Sequence, residues 1–199
     1  MNNITPHNNI AFKAKYVNSS QILKFNKEAG EYVKRNAMIL EFDPNNKKDL
    51  DALVKVAEKW GGAKFGDDIA YTANNLYFNK SNPSKERIFM LTTQNTNYNT
   101  PDVKQILGIA QTSCDDGYSI CVDYLQTKPN LINRSSKNGK NKEYKHVGEG
   151  LLNSIKKTFS QKPIYLYPLP EVTAFYERNG FKEISKNPVK YKWTKELSI

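Results

Sequence analysis

The stretch from 118 to 167 constrains the fold more than any other. "YSICVDYLQT" (118–127) has the composition of a strand. "GEGLLNSIKKTF" (148–159) sets Leu151, Leu152, Ile155 and Phe159 on one helical face. "PIYLY" (163–167) is a short run apolar on both faces, which suits a strand covered by helices on both sides. A strand, an amphipathic helix and a second strand form a crossover between parallel strands, with a right-handed connection expected.

The remaining segments fit around that unit. "IAFKAKYV" (10–17) alternates apolar with polar and predicts a strand; "EAGEY" (28–32) breaks it, and "AMILEFD" (37–43) predicts a second. "NKKDLDALVKVAEKWGG" predicts a helix with Leu50, Leu53, Val54, Ala57 and Trp60 on one face, Asn46 as its start cap and Gly61 as its end. "DDIAYTANNLYF" (67–78) predicts another, capped by Asp67. After the break "SNPS" (81–84), "RIFMLTTQ" (87–94) is a strand, and "NTNYNTPD" (95–102) a loop. "QILGIAQTSC" (105–114) and the strand at 118–127 are joined by "DDG", a hairpin signal. "PEVTAFYERNG" (170–180) is a short helix, and "FKEIS" and "VKYKW" end the chain as strands. The expectation is one α/β domain of α+β type, with a mixed, mostly antiparallel sheet. Residues 1–8 read as a flexible tail and 9–199 as the domain.

Composition removes several classes. At 199 residues, 38% hydrophobic and 25% charged, the chain can bury a full core. Its net charge of +10 attracts anions. The basic residues are scattered beside acids, however, and no helix carries a basic stripe, which argues against nucleic acid. Cys114 and Cys121 flank a turn, outside any CxxC pair; a cross-strand bond and two buried thiols are both open, and so low a count favours thiols in a reducing compartment. His7 and His146 with these cysteines do not make a metal site. The first residues lack a signal-peptide core, and no apolar run approaches the roughly 18 residues that span a bilayer. The location expected is cytoplasmic, with no membrane partner.

Gly148 and Gly150 stand in the first turn of a helix, where glycine is unfavourable. First-turn amides have no intrahelical partner, the helix dipole adds positive potential, and a missing Cβ lets an anion approach. Lys142 and Lys145 add charge nearby. GxxxxGK[ST] is absent, and so is GxGxxG after a strand, which argues against nucleotide sites of those kinds.

The whole series (meander strand, "VDYLQTKP", glycine-led helix, apolar strand, "AFYERNGFKEI") resembles the GNAT superfamily of acyl-CoA-dependent N-acyltransferases over roughly residues 37–195. "FYERNGF" (175–181) is similar to the family's FYxxxGF segment. "YKHVGEGLL" is similar to its Arg/Gln-x-x-Gly-x-Gly/Ala pattern with a following leucine pair, in either of two registers. If both glycines are Gly148 and Gly150, Lys145 takes the basic position but the leucines come early. If Gly148 is the last glycine, Leu151 and Leu152 fit, while His146 replaces the first glycine and Glu143 the Arg or Gln. The leucines fix the buried face and favour the second register. The insertion at 130–142 is longer than the family's usual link.

The resemblance implies acetyl-CoA as donor, no metal, and transfer of the acetyl group to a primary amine by direct attack. It implies that strands 118–127 and 163–167 splay apart to admit the pantetheine arm against Leu125, Gln126 and Thr127. It places the diphosphate at the backbone of Lys145, His146, Val147, Gly148, Glu149, Gly150 and Leu151. It gives Tyr176 the role of proton donor to the leaving thiolate and makes Asp123 the candidate base. From the residues alone, Tyr176 is equally a packing partner of Val172, and Asp123 an outward strand residue. The acceptor expected is a small-molecule or peptide amine, bound by segments 46–80, 95–104 and 10–35, with a homodimer left open. Two alternatives stand beside this one: an acyl-CoA-binding module without catalysis, and a nucleic-acid binder using the basic loop from Arg134 to Lys145.

Overall fold

The computed structural model describes residues 14–61, 65–79, 85–94, 101–131 and 142–195. The expected tail at 1–8, the start of the first expected strand, His7, the break at 81–84, most of the 95–102 loop and most of the 130–142 insertion lie outside them. The order is β1 (Lys15–Asn26), β2 (Glu31–Glu41), α1 (Lys47–Lys59), α2 (Gly66–Asn79), β3 (Glu86–Thr92), β4 (Ile106–Ser113), β5 (Ile120–Thr127), β6 (Tyr144–Lys145), α3 (Val147–Thr158), β7 (Ile164–Leu166), α4 (Thr173–Arg178), β8 (Lys182–Lys186) and β9 (Val189–Trp193). The strands form one sheet in the order β6-β1-β2-β3-β4-β5-β7-β9-β8. Every described pairing is antiparallel except β5 with β7, as the crossover requires.

Alternation along β3 shows how the sheet divides two cores. Ile88 and Met90 pack with Leu50, Leu53, Val56 and Trp60 of the α1 segment and Ile69, Ala73 and Leu76 of α2. Phe89 and Leu91 pack on the other face with Val147, Leu151, Leu152 and Ile155 of α3. Helices therefore cover both faces. The side chain of Asn46 accepts from the Lys48 amide at 3.1 Å and caps α1, and Gly61 follows its end at φ +62°. Asp67 is not a cap: α2 already begins at Gly66, and Asp67 lies in its first turn, where a carboxylate still favours the helix dipole.

Two more expectations change. The first hairpin is much longer than the pattern suggested, with β1 running to Asn26 and β2 starting at Glu31. β7 has a helix-facing core side at Ile164 and Leu166. Its other side is covered by cations instead of a helix: the Lys190 ammonium lies 4.3 Å from the Tyr165 ring centroid, and that of Lys192 5.6 Å. Among the described residues, no helix is long and apolar enough to cross a membrane.

Candidate active site

The crossover pair is joined over only part of its length. The β5–β7 pairs are Ile120↔Ile164, Cys121↔Tyr165 and Val122↔Leu166, and no pair follows. β7 ends at Leu166, while β5 continues to Thr127. Pro168 and Pro170 follow β7 and have no N–H to extend a ladder. Among the described residues, the edge of β5 from Asp123 onward therefore has no strand partner on that side.

A bulge sets which backbone groups face this gap. β4 pairs Thr112 with Val122 but Gln111 with Tyr124, leaving Asp123 as the extra residue. Before the bulge, the Ile120 amide donates toward β7, to Pro163 O at 3.0 Å. After it, the Lys128 amide donates the other way, to Leu107 O beside β4 at 2.8 Å. Strand alternation then turns the backbone of Leu125 and Thr127 toward the gap and that of Gln126 toward β4. Gln126, expected among the cofactor contacts, is spent differently: its side chain is buried and donates to Thr127 O at 2.7 Å.

The start of α3 closes against this edge. A Cβ on Gly148 would lie 3.4 Å from Phe175, 3.5 Å from Thr127 and 3.6 Å from Leu125. The helix start, the end of β5 and α4 therefore meet around Gly148. The Gly150 amide is already bonded to His146 O at 2.8 Å, so the unpaired first-turn amides are those of Val147, Gly148 and Glu149. Gly150 and Leu151 do a different job from the one expected. A Cβ on Gly150 would meet Ser20 Oγ at 2.9 Å and Leu91 Cδ1 at 3.0 Å, and Leu151 is fully buried against Gly108. Both glue α3 to the sheet. His146 precedes the helix in the left-handed region at φ 64°, and its Nδ1 meets Glu149 Oε2 at 2.5 Å. The Lys145 ammonium sits 3.8 Å from the Tyr32 ring centroid.

Asp123 lies at the apex, where the two strands part. One of its oxygens accepts from Ser113 Oγ at 2.9 Å; the other is buried with no hydrogen-bond partner among the described residues. Burial raises its pKa against the lowering effect of the Ser113 hydrogen bond and of the nearby Cys121 thiol. Burial also pushes the neighbouring Cys121 thiol up to about 12, with the Asp123 charge adding to the shift, so that thiol is inert. Both cysteines are free. Tyr176 on α4 is half-buried between Phe175 (5.1 Å between centroids) and Phe181 (6.0 Å), and burial pushes its phenol up to about 12. On the α1–α2 face, the Phe65 and Tyr124 rings stand 5.3 Å apart.

The structure thus brings Leu125, Thr127, Gly148 and α4 together and leaves Gly150 and Leu151 outside. Two contributors carry no mark of their own in the sequence. Phe175 belongs to FYERNGF, and its contact with Gly148 is tertiary. Ser113 could have been found from the "DDG" hairpin, whose register pairs it with Cys121 and so puts it next to Asp123. Among the described residues, no group of His, Cys, Asp and Glu could hold a metal ion.

No family model matches the chain, and no curated protein does either. Its fold is nevertheless shared with solved structures. An acetyltransferase from Thermus thermophilus aligns with a TM-score of 0.54 at 14% identity, over 79% of this chain and 96% of that one. The N-acetyltransferase PseH of Campylobacter jejuni, solved in complex with acetyl coenzyme A, aligns with a TM-score of 0.50 at 16% identity, over 80% of this chain and 99% of that one. At such identities the likeness is one of fold alone: this chain shares the fold of these two acetyltransferases.

Proposed function

We propose that the protein is an N-acetyltransferase that moves an acetyl group from acetyl-CoA to a primary amine by direct attack. The observation that carries this reading is the open edge of β5 from Asp123 to Thr127, with the unpaired amides of α3 at its end. An extended pantetheine arm carries amide donors and acceptors that could pair with the Leu125 and Thr127 backbone. The Val147, Gly148 and Glu149 amides suit a diphosphate, with Gly148 offering no Cβ against it. The likeness in fold to PseH, whose complex holds acetyl coenzyme A, supports the same donor.

The chemistry follows from the two ionisable groups. An amine with pKa near 10.4 is mostly protonated at pH 7 and must lose a proton before attack. Asp123 is the base in this reading, directly or through one water; its raised pKa moves it toward the working range. The freed lone pair attacks the thioester carbon, and an amide of the β5 edge stabilises the oxyanion. The C–S bond then breaks, the electron pair leaves on sulfur, and the second proton of the attacking nitrogen passes through water to that sulfur, giving the amide and the free thiol. Tyr176 keeps its proton at every working pH and donates a hydrogen bond to that sulfur. Full transfer to a thiolate of ordinary pKa, about 8.5, is uphill by roughly 5 kcal/mol, so the role is stabilisation more than delivery.

Calorimetric titration with acetyl-CoA, followed by thiol release over a panel of small amines and peptides, tests the reading. Heat on binding and amine-dependent release of thiol are expected. No heat with any coenzyme A species would end it; binding without release over the whole panel would leave a binding module.

A further inference from the structure

The segment entering α3 is fastened to the far edge of the sheet by contacts that the site itself does not require. Tyr144 and Lys145 pair as β6 with Lys24 and Leu23 of β1. The Phe25 amide donates to Glu143 O at 2.9 Å. Tyr32 of β2 makes two further ties: its hydroxyl donates to Lys142 O at 2.9 Å, and its ring lies under the Lys145 ammonium at 3.8 Å. The ring is itself held by Phe25, 5.2 Å away between centroids. The chain then reverses at His146, whose φ of 64° is unfavourable for a residue with a Cβ. Such a conformation persists only where its surroundings over-determine it. On one side of His146 stands the strap of 142–145; on the other, Val147 is buried in the core. The reversal sets where the unpaired amides of α3 point.

We propose that Tyr32 is a positioning residue for the coenzyme A site. It sits on the β1–β2 hairpin and acts through the strap at 142–145, fixing the turn at His146 and with it the amides of Val147, Gly148 and Glu149. The inference rests on the acetyl-CoA reading and adds to it a residue from a hairpin outside the crossover unit. Holding Lys145 over the ring also keeps its ammonium beside the turn, at a fixed place in the local field.

Two variants separate the ties. Tyr32→Phe loses the hydroxyl bond and keeps the ring; Tyr32→Leu loses both. The Kd for coenzyme A, measured by calorimetry, is expected to rise about threefold in the first and about tenfold or more in the second. Hydrogen exchange in the ligand-free protein is expected to quicken at 144–149 in Tyr32→Leu and to stay near wild type in Tyr32→Phe. A purely structural tyrosine would lower the melting temperature without altering the Kd of the folded protein, and that result overturns the proposal. If Tyr32→Leu binds coenzyme A as tightly as the wild type does, this inference alone falls. If the wild type binds none, the acetyl-CoA reading falls and takes the inference with it.

Discussion

Tyr176 and Asp49 show how burial assigns opposite work to two ionisable side chains. The phenol of Tyr176, enclosed by Phe175 and Phe181, is held neutral and is suited only to donate. A hydrogen bond to a developing charge contributes about 1.5–3 kcal/mol, so Tyr176→Phe should lower kcat by roughly 10- to 150-fold and leave the Kd for acetyl-CoA nearly unchanged. Steady-state kinetics with an active amine check this, and a variant with unaltered kcat would remove Tyr176 from the chemistry. Asp49 is fully buried at the start of α1 and accepts from the Asp43 amide at 3.0 Å and Asn46 Nδ2 at 2.7 Å. Both donors favour the carboxylate, yet burial outweighs them and raises its pKa to about 7. The sign follows from proton counting. The folded chain keeps this proton up to about pH 7, while the unfolded chain loses it near 3.8. The contribution of Asp49 to stability is therefore full below pH 4, declines as pH rises toward 7 and levels off above it. Asp49→Asn should flatten that part of the melting-temperature curve between about pH 4 and 7. It should also lower the whole curve, because an amide NH2 must then face one of the two donors. Melting scans of both proteins across that range decide it.

At the scale of elements, α3 carries two glycines with separable duties. Gly148 faces the cleft at ordinary contact distances, so alanine fits there and a large side chain would fill the space. Gly150 faces Ser20 and Leu91 at distances that even a methyl group would crowd. Gly150→Val should therefore destabilise the fold by about 1–3 kcal/mol, the usual cost of overpacking, while the folded fraction still binds coenzyme A. Gly148→Trp should abolish binding with a smaller loss of stability. Denaturant melts paired with calorimetry separate the two, and identical behaviour of both variants would contradict this division. The sequence could not make it, because "GEG" places both glycines in one turn and only tertiary packing distinguishes their surroundings. The leucine pair was the better guide, since Leu151 and Leu152 turn the sheet-facing side of α3 inward, as their spacing says. Length was least legible in β1 and β2. "NSSQILKFN" carries polar residues where a buried strand would show apolar ones, yet Asn18 is buried with its oxygen bonded to Ser154 Oγ of α3 at 2.8 Å. A partner 136 residues away leaves no local pattern.

For the molecule as a whole, the order of elements and the parallel crossover were readable because hydrophobic period and turn chemistry are local. The gap between β5 and β7 was expected from the family resemblance and not from any local pattern: it depends on where pairing stops and on a bulge at Asp123 that no propensity announces. That gap makes ligand binding a property of the folded state, since an unfolded chain presents neither the free strand edge nor the helix start. Acetyl-CoA at about one hundred times its Kd should then add roughly 2.7 kcal/mol to stability. For a chain of 199 residues this corresponds to a rise in melting temperature of about 5–11 °C. The net charge of +10 contributes at longer range. It draws a polyanionic ligand toward the surface and is screened over a Debye length of about 8 Å at physiological salt. Raising salt from about 50 to 500 mM should accordingly slow association in stopped-flow experiments far more than it speeds dissociation, because in the proposed site the groups that hold the ligand once bound are short-range amides. Equal effects on both rates would place the binding energy on the charged surface and not in the wedge between the strands.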